Sequence, residues 1–167
     1  MSGAVAWFTG LPSSGKSTLA ERARARLVAA GVPVVLLDGD AVRGVLVPAP
    51  GYTPTERDAF YETLARLAAL LASQGLTVLV AATAHRRAHR ERARTLAPRF
   101  VEVHVATPPA ECRARDPKGL WAAARAGEAP LLPGAGADYK PPRAPEVVAR
   151  GGLDEAALEA VLEALRR

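Results

Sequence analysis

The chain has 167 residues, 49% hydrophobic and 23% charged, which fits one compact domain with its own core and excludes wholesale disorder. No apolar run approaches the roughly 20 residues of a bilayer span, no secretory leader is expected, and the single Cys112 excludes an internal disulfide, so the expected setting is the reducing cytoplasm. The net charge of +5, with 22 basic residues against 17 acidic, favours anionic partners, though arginine at ordinary solvated positions accounts for it equally well.

Short apolar runs alternate with longer helical patterns, predicting an α/β layer fold around a mostly parallel five-stranded sheet. Ala4–Phe8 reads as the first strand, Thr18–Ala30 as a helix and Val32–Leu37 as the second strand. Val47-Pro48-Ala49-Pro50-Gly51 breaks a helical pattern, and Thr53-Pro54 opens another over Thr55–Gln74. There Phe60, Leu64, Leu67 and Leu71 form one buried stripe. Strands follow at Leu76–Ala81 and Arg99–Ala106, apolar throughout much of their length, as expected where helices cover both faces. Between them Arg86, Arg90 and Arg94, four apart and flanked by Arg87 and Arg92, predict a basic, solvated helix face. His85 reads as a hydrogen-bonded strand-end histidine and His104 as a structural residue inside a strand. Cys112 falls in a helical stretch with no metal-ligand or nucleophile pattern around it. The proline- and glycine-rich segment from Pro130 to Pro145 reads as a lid, its flanks reaching from about 117 to 145. A fifth strand at Glu146–Ala149 precedes a helical stripe of Leu158, Val161, Leu162 and Leu165. No repeat or linker divides residues 1–167, so a single domain is expected.

Gly10-Leu11-Pro12-Ser13-Ser14-Gly15-Lys16-Ser17 fits the phosphate-loop pattern G-x-x-x-x-G-K-S/T between a strand and a helix that Thr18 continues. Such a loop turns its N–H groups and the positive helix end towards a triphosphate. Lys16 then reaches the β- and γ-phosphates, and Ser17 supplies a hydroxyl to Mg²⁺. Asp38-Gly39-Asp40 directly follows the second strand, and ligands of parallel sheets sit beyond the strands' carboxyl ends. One carboxylate can help hold Mg²⁺ through water, and the other can take a proton from an attacking hydroxyl. The competing reading is a strand-ending turn with Asp40 capping the next helix. Arg43 lies three residues on, one turn away on the same face, suited to an anionic substrate.

These stretches resemble the adenylylsulfate kinase family, P-loop enzymes that phosphorylate the ribose 3′-hydroxyl of adenosine 5′-phosphosulfate with ATP. The resemblance runs through Phe8-Thr9-Gly10-Leu11, Gly15-Lys16-Ser17-Thr18, Leu37-Asp38-Gly39-Asp40-Ala41-Val42-Arg43, Gly51-Tyr52-Thr53, Glu56-Arg57 and Cys112-Arg113-Ala114-Arg115-Asp116-Pro117-Lys118-Gly119-Leu120-Trp121. It implies a three-layer P-loop kinase fold with ATP and Mg²⁺ as cofactors. By it Lys16, Asp40 and Asp38 are the catalytic group, Asp40 orienting the acceptor hydroxyl and Asp38 lying near the metal with Ser17. Arg43 and Arg57 look like substrate-binding arginines, Tyr52 stands where the family stacks a phenylalanine on the acceptor's adenine, and Arg115 packs on the ATP adenine. Lys118 matches the family motif and touches the nucleotides, with a surface turn as the other reading.

The departures fall on the acceptor side. Phe60, Tyr61, Glu62 and Thr63 replace an asparagine, an aliphatic residue and two arginines, and Thr83-Ala84-His85-Arg86-Arg87 replaces a Ser-Pro-aromatic-Arg segment. Arg86 or Arg87 is the expected contact to the acceptor's anion. Leu132, within Pro130-Leu131-Leu132-Pro133-Gly134, stands where a lid aromatic stacks. The expected partner is therefore a small anionic acceptor, neither nucleic acid nor membrane, and family relatives often pair as homodimers. Rival readings are a kinase for another anionic alcohol (a nucleotide, sugar or nucleic-acid end) and a nucleotide-binding regulator without turnover.

Overall fold

Residues 3–116, 118–127 and 138–167 are described by a computed structural model of the chain. Strands β1 (Ala4–Thr9), β2 (Val34–Asp38), β3 (Thr77–Ala81), β4 (Phe100–Val105) and β5 (Val147–Ala149) form one sheet in the order β2-β3-β1-β4-β5. All four pairings are parallel, so every strand delivers its carboxyl end to the same edge. The helices are α1 (Lys16–Ala29), α2 (Gly39–Val45), α3 (Pro54–Ser73), α4 (Arg87–Leu96), α5 (Pro109–Arg115), α6 (Leu120–Arg125) and α7 (Glu155–Arg166). The α/β expectation holds, with element ends moved by a residue or two.

Alternation along β1 between two covered faces explains why its whole length is buried. Ala4, Ala6 and Phe8 face one layer, where they pack with Leu19, Ala23 and Leu27 of α1 and Leu158, Val161 and Leu162 of α7. Val5 and Trp7 face the other, against Phe60, Tyr61, Leu64 and Ala68 of α3 and Ala93 of α4. Trp7 and Phe8 are fully buried, each contributing roughly 1.5–3 kcal/mol. A third, smaller cluster packs Cys112 and Trp121 with Leu11, and Cys112 is a buried free thiol. Among the described residues no helix is long and apolar enough to cross a membrane.

The expected solvated arginine face is corrected by the structure at Arg90, while Arg86 and Arg92 are exposed. Arg90 is 1% exposed and ion-paired with Glu102, and Arg94 bonds Glu146. Arg86 sits at the N-cap position of α4, makes no side-chain capping bond there and pairs instead with Asp58. Glu102, the one acidic residue of β4, is only 9% exposed, so a partner for its charge has to come from the covering helix.

Helix α3 starts on a capping box. Thr53 Oγ1 accepts from the Glu56 amide, Glu56 accepts from the Thr53 amide, and Pro54 fills the first turn, where no N–H is missed. Replacing Thr53 with Ala is expected to lower stability by about 1 kcal/mol, read from the urea midpoint at unchanged slope.

Candidate active site

The parallel register assembles the site, because the loop after each strand opens on one edge. After β1, residues 10–15 form the phosphate loop. Gly15 has φ 98° and caps α1 without a side chain, leaving the helix's first amides directed at whatever the loop encloses. A Cβ on Gly15 would lie 2.6 Å from the Gly152 amide. The loop is clamped from outside. Thr107, after β4, donates to the Ser14 carbonyl at 2.6 Å, and the Trp121 indole donates to the Pro12 carbonyl at 3.0 Å. Asp116 accepts from the Trp121 and Ala122 amides and so caps α6, which gives the Arg-Asp-Pro-Lys-Gly-Leu motif part of its structural meaning.

Lys16 Nζ donates to the Leu11 carbonyl at 2.8 Å. Burial, and then the neighbouring Lys118, push its pKa down to about 8, the condition of a cation short of negative charge. Ser17 Oγ donates to Asp38 at 2.7 Å, and the other Asp38 oxygen accepts from the Asp40 amide at 3.0 Å. Asp38, not Asp40, therefore caps α2. Asp40 is left exposed and contacts Lys118, whose pKa rises through that bond. Ser17 and Asp38 present hard oxygens side by side, a donor set suited to Mg²⁺ shared with phosphate and water.

Arg43 and Arg57 lie beside this group. Arg43 donates to the Gly51 carbonyl at 3.2 Å, and its guanidinium lies 4.5 Å from the Tyr52 ring centroid and 4.0 Å from that of Phe60. Arg57, 9% exposed, donates to the Tyr52 carbonyl at 3.1 Å. Burial, then Arg43, lower its pKa. No carboxylate among the described residues pairs with either guanidinium, although both pack against aromatic faces.

Other expected residues lie elsewhere. Arg86 is engaged with Asp58, and Arg87 donates to the Pro141 carbonyl at 2.8 Å, so this structure does not bring them to Asp40. Glu62 turns to Arg92 and Arg66, which hold its carboxyl at about 2. Leu132 and the middle of the expected lid lie outside the described residues. Arg115, paired with Glu111, lines a cavity of about 760 Å³ with Gly15, Thr18 and residues 150–154.

Residues 150–154 were not singled out in the sequence. Their position just past the fifth strand was the available signal. A Cβ on Gly152 would meet the Gly15 carbonyl and the Thr18 side chain, each at 2.9 Å. Arg22 of α1 holds the Gly152 carbonyl at 3.1 Å and pairs with Glu155, and Arg26 bonds Glu159 at 2.6 Å.

Residues 2–150 match the family model for adenylylsulphate kinase. The chain belongs to the adenylylsulfate kinase family. It is 44% identical to the adenylyl-sulfate kinase of Shewanella denitrificans over 152 residues, 88% of this chain and 74% of that one. To the enzyme of Shewanella halifaxensis it is 46% identical over 144 residues, 85% and 70% of the two chains. The structure of the Mycobacterium tuberculosis APS kinase CysC, in complex with AMPPNP and APS, superposes with a TM-score of 0.91 at 36% identity over 99% of both chains.

Within this family member two of the three histidines form a cluster. His85 and His89 are 7% and 8% exposed, and Nδ1 of each is buried without a partner. His89 Nε2 meets Asp58 at 2.7 Å, while Tyr61 stacks on its ring at 4.5 Å. The expected hydrogen bond from the His85 ring is thus absent at Nδ1. His104, in β4, lies against the Tyr139 ring at 6.1 Å. Burial, then His89, push His85 down to about 4 from its ordinary 6.5. In that window the unfolded chain binds the extra proton, so stability holds above pH 6.5 and falls as pH drops towards 4. His85→Phe is expected to flatten this acid limb in thermal melts recorded across the same range.

Proposed function

We propose that the chain transfers the γ-phosphoryl group of ATP to the ribose 3′-hydroxyl of adenosine 5′-phosphosulfate. One observation carries the reading. Partly buried Lys16 and the Ser17–Asp38 pair sit at the same sheet edge as Arg43 and Arg57, two guanidiniums without carboxylate partners. The first group suits a triphosphate and the second an acceptor anion. Similarity to relatives of the same named activity, over most of the chain, supports the choice of acceptor.

In this reading the adenine of ATP occupies the cavity between Arg115 and residues 150–154, a guanidinium plane against a purine. The phosphate-loop amides and Lys16 grip the phosphates. Ser17 and Asp38 would hold Mg²⁺, which would neutralise charge that develops on the triphosphate. Arg43 and Arg57 seat the phosphosulfate, and Tyr52, 58% exposed, offers a ring face to the acceptor's adenine. The acceptor oxygen bonds to the γ-phosphorus as the bond to the ADP oxygen breaks in line, and the hydroxyl proton passes to Asp40. Lys118, in contact with Asp40 here, frees that carboxylate by turning to the incoming phosphates. The same proposal places the enzyme in the cytoplasm, where ATP and a reduced Cys112 both belong, and pairs two copies, as the family resemblance implies.

Phe60 under Arg43 favours a second reading, another anionic alcohol as acceptor, and one assay separates the two. ADP release is expected with adenosine 5′-phosphosulfate and Mg²⁺, lost on chelation, and at least as fast as with sugars or other nucleotides. Preference for one of those would carry the second reading. Lys16→Ala should abolish ADP release with the circular dichroism unchanged. Arg57→Ala should raise the acceptor KM at least ~10-fold, the weight of a charge-assisted hydrogen bond, with the ATP KM held.

A further inference from the structure

The reaction as derived leaves one conspicuous group unused. Arg90 is among the largest fully buried side chains, at 1% exposure, and a buried guanidinium is costly unless its donors are satisfied. Its Nε donates to Glu102 at 3.0 Å. Nη1 donates to the Ala84 carbonyl and, at 3.4 Å, to Thr9 Oγ1, while Nη2 donates to the Lys140 carbonyl. An ion pair joining a helix to a strand needs only the first of these. The others reach three loop ends at the carboxyl edge of the sheet.

One of those ends adjoins the phosphate loop directly. Thr9 immediately precedes Gly10, the first residue of the phosphate loop. Thr9 donates to the Thr83 carbonyl at 2.5 Å, so Tyr139 is the donor in the 2.9 Å contact between the two hydroxyls. The Lys140 amide donates to the His85 carbonyl at 2.8 Å, and Arg87 holds Pro141. Residues 83–86 and 138–141 are thereby sewn to each other and to the last residue of β1. The turn is strained at its centre, where Ala84 has φ 44° and no exposed surface. A residue with a Cβ persists there only when its surroundings over-determine it, and such strain collects at functional sites. On the site's other side, Gly39 at the start of α2 packs on Ala81 and Ala82, the residues that lead into the turn.

We propose that Arg90 is a positioning residue for phosphoryl transfer: its guanidinium fork sets the strained 83–86 turn and the 138–141 strap against the start of the phosphate loop. The donor and acceptor halves of the site are thereby held at one fixed separation. This rests on the activity proposed above and names a residue on which its geometry depends.

The test compares kcat for adenosine 5′-phosphosulfate with the Kd for ATP measured by calorimetry without acceptor. Arg90→Lys keeps the charge and loses the fork. It is expected to lower kcat by ~10-fold or more, in the range that small misplacements of reacting groups cost, while the ATP Kd moves less than ~3-fold. Tyr139→Phe removes one hydroxyl and should lower kcat in the same direction by less. Ala84→Gly accepts the positive φ without strain. It is expected to keep or raise the melting temperature while lowering kcat, a split that a purely structural role does not produce. If Arg90→Lys fails to fold, the other two variants decide. Lower melting temperatures with kcat per folded enzyme intact would overturn the proposal alone. A wild-type protein that phosphorylates no acceptor would overturn the functional reading and this proposal with it.

Discussion

The site depends on positive charge held where protein alone does not balance it. Lys16 has a carbonyl for company, and Arg43 and Arg57 have aromatic faces and carbonyls. None of these neutralises a cation, and burial lowers the pKa of both Lys16 and Arg57. A fold can sustain such an arrangement only if backbone and packing hold the groups in place, since their mutual repulsion would scatter flexible side chains. Here the parallel sheet does so by bringing five loops to one edge, and the arriving phosphates supply the missing charge.

The two halves of the site solve this problem differently. On the donor side the backbone dominates: left-handed Gly15, the capless start of α1, and clamps from Thr107 and Trp121. On the acceptor side aromatic rings do more of the work, with Arg43 between Tyr52 and Phe60 and Tyr61 stacked on His89. Where the family resemblance leads one to expect asparagine and further arginines, this chain has Phe60, Tyr61, Glu62 and Thr63. Phe60 now braces Arg43, and Glu62 has joined a surface ion network. The substitutions therefore change how the acceptor arginines are supported and leave both arginines in place.

The elements were legible because each carries a local signal. The phosphate loop is a contiguous pattern between a strand and a helix, and Thr53 with Glu56 announces α3. The rule that ligands lie beyond parallel strands points to Asp38 and Asp40, at the carboxyl end of β2. Their division of labour, one capping α2 and contacting Ser17 and the other exposed, is a matter of side-chain geometry that spacing does not encode. Arg90 shows the limit most clearly. Four-residue spacing made it look like a solvated charge, and only the pairing of α4 with the one acidic residue inside β4 reveals that it is buried. Residues 150–154 escaped notice for a related reason: their nearness to Gly15 is created by a contact that spans most of the chain.

That contact has a mechanical consequence. Because Gly152 touches the loop at Gly15 and Thr18, and Arg22 and Arg26 join α1 to Glu155 and Glu159, the start of α7 is tied to the phosphate loop. A load on α7, such as a docked neighbour or a fused domain tugging at it, therefore bears on the phosphate loop through the Arg22 and Arg26 ion pairs and the Gly152–Gly15 contact.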